Sequence, residues 1–270
     1  MPTIWICADD YGLSRGVSRG IRDLISLNRI NATSVMVLPS AFDIEEANAL
    51  KDLSPSAIGL HVTLTAPFKP LTADFPHLDQ GRFCALPDLM RRAIGRRLEV
   101  SAVAAEISAQ LDAFVAAFGR PPDFFDGHQH VQLLPQIRDA FLRIIAERTP
   151  TAWVRQCGRA GFARRFKNRK TLLLDLLSFG FRRKARRFGL RFNPAFAGSY
   201  DFTPDANFPK LFPAFLDGLP NDGLVMCHPG FVDAELQRLD PLTSLREREY
   251  AYFKGEEYAQ LLADSSISLA

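Results

Sequence analysis

In this chain of 270 residues, the side chains able to do chemistry gather at four short places: the acid pair Asp9-Asp10, His61, the run Asp126-Gly127-His128-Gln129-His130, and Cys227-His228-Pro229. Taken singly, each has a plain structural reading. A histidine where a strand ends is more often a hydrogen-bonding group than a ligand, and one of two adjacent aspartates commonly caps the next helix. Together they point elsewhere. Carboxylates at the edge of an apolar core are costly without a positive partner, and a divalent cation is an efficient one. Carboxylate and imidazole ligands suit zinc, manganese, iron, cobalt or nickel, whereas carboxylate, carbonyl and water suit magnesium. A mixed Asp/His/His set leaves positions open for a water, whose pKa the ion lowers towards about 7, and for a carbonyl oxygen. A second carboxylate can take the proton of that water, and a histidine across the site can give one to a leaving amine.

These residues can meet only if the fold brings them to one rim. Short apolar runs alternate here with segments of helical period, the pattern of βα units around a parallel sheet or barrel. Thr3 to Ala8 reads as a strand, and Ser14 caps a helix whose apolar positions are Val17, Ile21, Leu24 and Ile25. Strands are also predicted at Thr33–Leu38, Ala57–Leu64, Asp123–His128, Trp153–Cys157 and Leu224–Cys227. Helices are predicted at Asp43–Asp52, Val100–Phe118, Gln136–Glu147, Phe208–Leu216 and Tyr250–Leu262. The stretch 66–88, punctuated by Pro67, Pro70, Pro76 and Pro87, reads as a long loop, of a length that is usually functional or disordered. Four histidines and three aspartates thus fall where predicted strands end, and in parallel α/β folds those ends converge. The expectation is an α/β fold with a TIM-barrel-like, irregular (β/α) barrel forming one domain over 1–270, with a basic helical segment near 158–200.

Other chemistries find little support. There is no Gly-x-Ser-x-Gly elbow or Cys/His pairing to supply a nucleophile, and no phosphate-binding glycine loop. Cys7, Cys84, Cys157 and Cys227 are scattered without a CxxC pair, which suits reduced thiols and a cytoplasmic setting. The first residues read as a buried strand rather than a secretory signal, and no apolar run is expected to approach the roughly 18 to 20 residues of a membrane span. From Arg155 to Arg191 there are thirteen Lys or Arg and one acid, Asp175, with apolar Leu172-Leu173-Leu174 and Leu176-Leu177 between the basic clusters. A solvated basic helix is the plain reading, and peripheral contact with a membrane surface is the sharper one. With a net charge of only +3 and no recognition motif, nucleic acid is not expected as a partner.

Four segments in order resemble the YdjC-like carbohydrate deacetylase family, of the chitooligosaccharide and hopanoid-biosynthesis deacetylase type. They are Ala8-Asp9-Asp10-Tyr11-Gly12-Leu13-Ser14, Ile58 to Thr65, Phe125 to Val131, and Val225 to Gly230. The resemblance implies a barrel related to other carbohydrate deacetylases and one divalent ion, magnesium by family, held by Asp10, His61 and His128. It makes Asp9 the general base and His228 the acid or oxyanion stabiliser, and it places His130 and Arg155 with the substrate, Arg155 also as a residue able to orient a carboxylate. Gln129 and Gln132 interrupt a histidine run that is denser in some relatives, so the sugar is left open. The implied reaction is hydrolysis of an N-acetyl group from a sugar or oligosaccharide. The alternatives are a metal-containing carbohydrate-binding protein without turnover, and a hydrolase of another amide or phosphoester on the same metal. Pairing into a homodimer through helical faces is a further expectation.

Overall fold

The fold is built on a strand buried almost along its whole length. A computed structural model describes residues 2–53, 55–160 and 169–270. The first strand, β1 (Thr3–Tyr11), is covered on both faces from Cys7 onwards, as expected of a strand at the centre of a parallel sheet. Around it stand β2 (Ala32–Val35), β3 (Ala57–Val62), β4 (Phe124–Gly127), β5 (Trp153–Val154), β6 (Phe196–Ala197), β7 (Gly223–Cys227) and β8 (Ser268–Leu269). Every pairing is parallel, in the order β5-β4-β3-β2-β1-β7-β6. The eighth strand pairs with the start of β1, at Thr3 and Ile4, on the stretch that β2 has not yet reached. Asn31 seals that corner: its side chain accepts from Ile6 N–H at 2.8 Å and donates to the Ile4 and Ala270 carbonyls at 3.1 Å each.

The sheet curls without becoming an eightfold barrel. Between β5 and β6 the closure is made by a bridge, Val154 to Phe192, and by Phe196 N–H on the Gly158 carbonyl at 3.0 Å, helped by Asn193, whose side chain accepts from Gln156 N–H at 2.9 Å. The expected barrel is therefore realised in an irregular, incomplete form. On its outside lie α1 (Arg15–Ser26), α2 (Ile44–Lys51), α3 (Leu86–Ile94), α4 (Val100–Phe118), α5 (Ile137–Arg148), α6 (Arg169–Arg187) and α7 (Phe208–Leu216). The chain ends with α8 (Ala234–Leu239), α9 (Ser244–Lys254) and α10 (Glu256–Asp264).

Local chemistry sets these boundaries. The Ser14 hydroxyl accepts from Val17 N–H at the start of α1, and Asp43 accepts from Glu46 N–H at the start of α2, satisfying donors that a helix leaves open. Gly119 ends α4 in the left-handed conformation, φ 69°, as its place after the last apolar position foretold. The helix predicted over Tyr250–Leu262 is in fact two, broken at Gly255. By length and composition α4 does reach a membrane span, with 19 residues and a hydropathy of 1.3, against the expectation that no segment would. Its setting is that of a core helix: Val103, Ile107, Leu111 and Phe114 are buried, and so are Glu106 and Gln110, both hydrogen-bonded. The segment 161–168 of the predicted basic region lies outside the described residues.

Candidate metal centre

The carboxyl ends of β1, β3, β4, β5 and β7 bring the predicted residues to one place. Sheet register does most of the work, since His61 stands level with Asp126 and Ala8 with Cys227. Arg155 follows β5, its N–H bonded to the Phe125 carbonyl at 2.8 Å. An ideal strand would send Asp9 and Asp10 to opposite faces. Here the pairing of β1 with β2 slips between Ala8 and Tyr11, and Asp10 takes a left-handed backbone, φ 69°. That irregularity turns both carboxylates to the same rim. Gly12, at φ 90°, completes the turn, and a Cβ there would stand 2.6 Å from the Met36 carbonyl oxygen. Only glycine fits.

Asp10 is the hub. Its Oδ1 lies 3.2 Å from His61 Nε2 and 3.0 Å from His128 Nδ1, and its Oδ2 is 2.7 Å from Arg246 Nη2. Burial opposes ionisation of Asp10, but Arg246 and then His128 hold its carboxyl well below the usual range. Asp126 fixes His61 from behind, with Oδ1 2.6 Å from His61 Nδ1, so that Nε2 faces Asp10. Burial lowers the proton affinity of His61, yet Asp126 and Asp10 outweigh it and push the imidazole up to about 10. A ring flanked by two carboxylates keeps a proton where no other cation is provided.

These donors suit a divalent ion. One oxygen of Asp10 and one nitrogen each from His61 and His128 lie within 4.8 Å of one another, and adjacent ligands of an ion bound at about 2.1 Å stand about 3.0 to 3.4 Å apart. A carboxylate behind a ligating histidine is the usual support of such a centre. A second cluster, Cys7, Asp9 and Asp126, is equally tight, but the protein has already placed a cation there. Arg155 grips Asp9 through two bonds of 2.6 and 2.7 Å and reaches Asp126 at 3.0 Å.

Arg155, expected with the substrate, is fully buried, and the carboxylates its fork orients are the site's own, Asp9 and Asp126. His130 stands one step outside the centre. Its Nδ1 is 3.5 Å from Cys157 Sγ and its ring meets Phe196 edge-on at 5.7 Å. Cys157 and Phe196 also line a neighbouring cavity of about 350 Å³, so His130 packs against two residues of its wall. Burial pushes the Cys7 and Cys227 thiols well up and Cys157 to about 12, which leaves no thiolate nucleophile among them.

His228 follows β7 on the opposite side. Burial lowers it to about 4, so the imidazole is neutral at ordinary pH. Its buried Nδ1 has no hydrogen-bond partner among the described residues, while Phe202 meets the ring edge-on at 5.3 Å. Its backbone N–H donates to Glu249 Oε2 at 2.5 Å, and Tyr200 donates to Glu249 Oε1 at 2.6 Å. Glu249 and Arg246 both come from α9, and neither was foreseen as part of the site. The nearest sequence signal is their spacing of three, which puts an acid and a base on one helix face.

An incomplete parallel α/β barrel with an Asp/His/His cluster at its carboxyl rim defines the class. The sequence profile of the YdjC-like protein family matches residues 3–264. The chain therefore belongs to that family. It is 30% identical over 251 residues to a chitooligosaccharide deacetylase of Citrobacter koseri, covering 88% of this chain and 89% of that one. It is also 30% identical over 239 residues to the chitooligosaccharide deacetylase of Yersinia pestis bv. Antiqua, covering 85% and 82%. A solved structure of a proposed cellobiose-phosphate cleavage protein from Enterococcus faecalis shares the fold, with a TM-score of 0.79, 20% identity, and coverage of 100% and 97%.

Proposed function

We propose that this protein is a metal-dependent hydrolase that removes the acetyl group from an N-acetylated sugar or oligosaccharide. The observation that carries the reading is the pairing of a three-donor cluster, Asp10, His61 and His128, with a separate carboxylate, Asp9, on the same rim. Relatives named as chitooligosaccharide deacetylases support the substrate class.

Asp10, His61 and His128 would hold the ion, which when bound supplies Lewis acidity, lowering the pKa of a water and polarising an amide carbonyl. Magnesium is the family's implied ion, and the nitrogen donors also suit zinc or another transition metal. Asp9 accepts the proton of the attacking water, with Arg155 holding both its oxygens so that the carboxylate cannot turn away. His228 enters the reaction uncharged, so its one N–H serves as a hydrogen-bond donor to the developing oxyanion, while the proton that Asp9 took from the water passes to the departing nitrogen as the C–N bond breaks. Acetate and a free amino sugar leave. The cavity beside His130, Phe196 and Tyr200 gives the rest of the substrate room on the β5–β6 side.

Asp10→Ala and His128→Ala decide the matter. Acetate release from N-acetylated oligosaccharides should fall by about a thousandfold or more, metal content measured by elemental analysis should fall with it, and circular dichroism should stay native. Undiminished release by either variant sinks the assignment.

A further inference from the structure

The helix α6 has two apolar faces and the fold uses one. Leu174, Ser178, Phe181 and Ala185 pack inward and are buried. Nine large apolar side chains are exposed among the described residues, and five of them, Leu172, Leu173, Leu176, Phe179 and Phe188, lie on this helix or directly after it. Leu176 is 69% and Phe179 64% exposed. Leu172, Leu176 and Phe179 recur at i, i+4 and i+7, which makes them one stripe, and Arg183 and Arg187, both exposed, continue it. The outward surface therefore runs from apolar to basic along one helix.

We infer that this stripe seats the protein on an anionic membrane surface. The apolar half is a contiguous group of the kind that marks an interaction surface, and the charge distribution names the partner. Residues 169–191, α6 and the segment directly after it, carry eight basic side chains and one acid, net +7, in a chain whose total is +3, so the remainder carries −4. Such a molecule is oriented by a negative surface with α6 foremost. A second copy fits less well, because a symmetric pairing would set one +7 segment beside another. The inner side of α6, through Thr171 and Leu174, walls the cavity next to His130 and Tyr200, so docking sets that wall against the bilayer. The inference stands on α6 alone and holds whatever reaction the metal centre performs.

Flotation of the full chain with phosphatidylglycerol/phosphatidylcholine vesicles tests it against vesicles of phosphatidylcholine alone. The wild type should float only with the anionic vesicles. Leu176→Ser with Phe179→Ser, and separately Arg183→Glu with Arg187→Glu, should each weaken binding by about tenfold or more. Thermal unfolding should be unchanged, because all four side chains are exposed. Failure to bind anionic vesicles, or binding that both double variants leave intact, overturns the inference. So does sedimentation velocity showing a wild-type dimer that Leu176→Ser with Phe179→Ser turns into monomer, which would give the stripe to a second copy.

Discussion

Arg155 decides whether the site's acids can coexist. Asp9 and Asp126 are both buried, and the guanidinium between them is their shared counter-charge. Arg155→Met should cost about 3 to 5 kcal/mol in urea unfolding, the usual result of stranding buried charge. Arg155→Lys keeps the charge but loses the fork, so it should fold and yet slow acetate release by about a hundredfold through misplacement of Asp9; a wild-type rate would show that Asp9 needs no such grip. At this scale the sequence was legible wherever a chemical residue ended a strand. Asp9, Asp10, His61 and His128 stood out because charge follows apolar runs there. Asp126 was visible among the strand-end acids but was given no role, since support behind a histidine is a matter of register. Arg246 and Glu249 were hidden for a different reason. They share the buried face of α9 with Leu245, Tyr252 and Phe253, and a search for apolar periodicity passes over charged residues set among apolar ones.

Among the elements, α4 shows how the rim is kept open. Glu106 accepts from Leu71 N–H at 3.2 Å and from Thr72 N–H and hydroxyl at 3.0 and 2.8 Å. Gln110 bridges Glu106 and both backbone groups of Thr63. Together they pin the proline-punctuated loop that follows β3 and His61. Glu106→Ala removes the charged acceptor of those part-buried donors, so it should destabilise the protein by about 1 to 3 kcal/mol and speed proteolysis within 66–85. Equal cleavage rates for variant and wild type would remove the clamp from the account. Long periodic elements such as α1, α4 and α5 were read correctly because an amphipathic stripe repeats several times in each. The two-residue strands β5, β6 and β8 offer no period. The sequence reading therefore drew Trp153–Cys157 too long and passed over β6 and β8.

For the molecule as a whole, Glu249 joins pieces far apart in the chain: α9, the segment after β6 through Tyr200, and the turn after β7 through His228. Burial is the main reason its carboxyl rises from an ordinary 4.5 to about 7, against the opposing pull of Tyr200, the His228 amide and Arg246. Between those values the folded chain binds more protons than the unfolded one, so the slope of stability with pH is negative. The stability tied to this proton is fully present below about 4.5 and lost as pH rises through about 7. A shift of this size corresponds to about 3 kcal/mol at most. His228 works against it, since its lowered value of about 4 adds stability as pH climbs towards 6.5. Comparing wild type with Glu249→Gln, which keeps an acceptor and a donor in place but cannot ionise, cancels the His228 contribution. Urea midpoints of chelator-treated protein should converge at pH 5 and separate at pH 8 in favour of Glu249→Gln. A constant difference between the two across that range would mean that Glu249 titrates as an ordinary carboxylate and that α9 is not held to β7 by a buried proton.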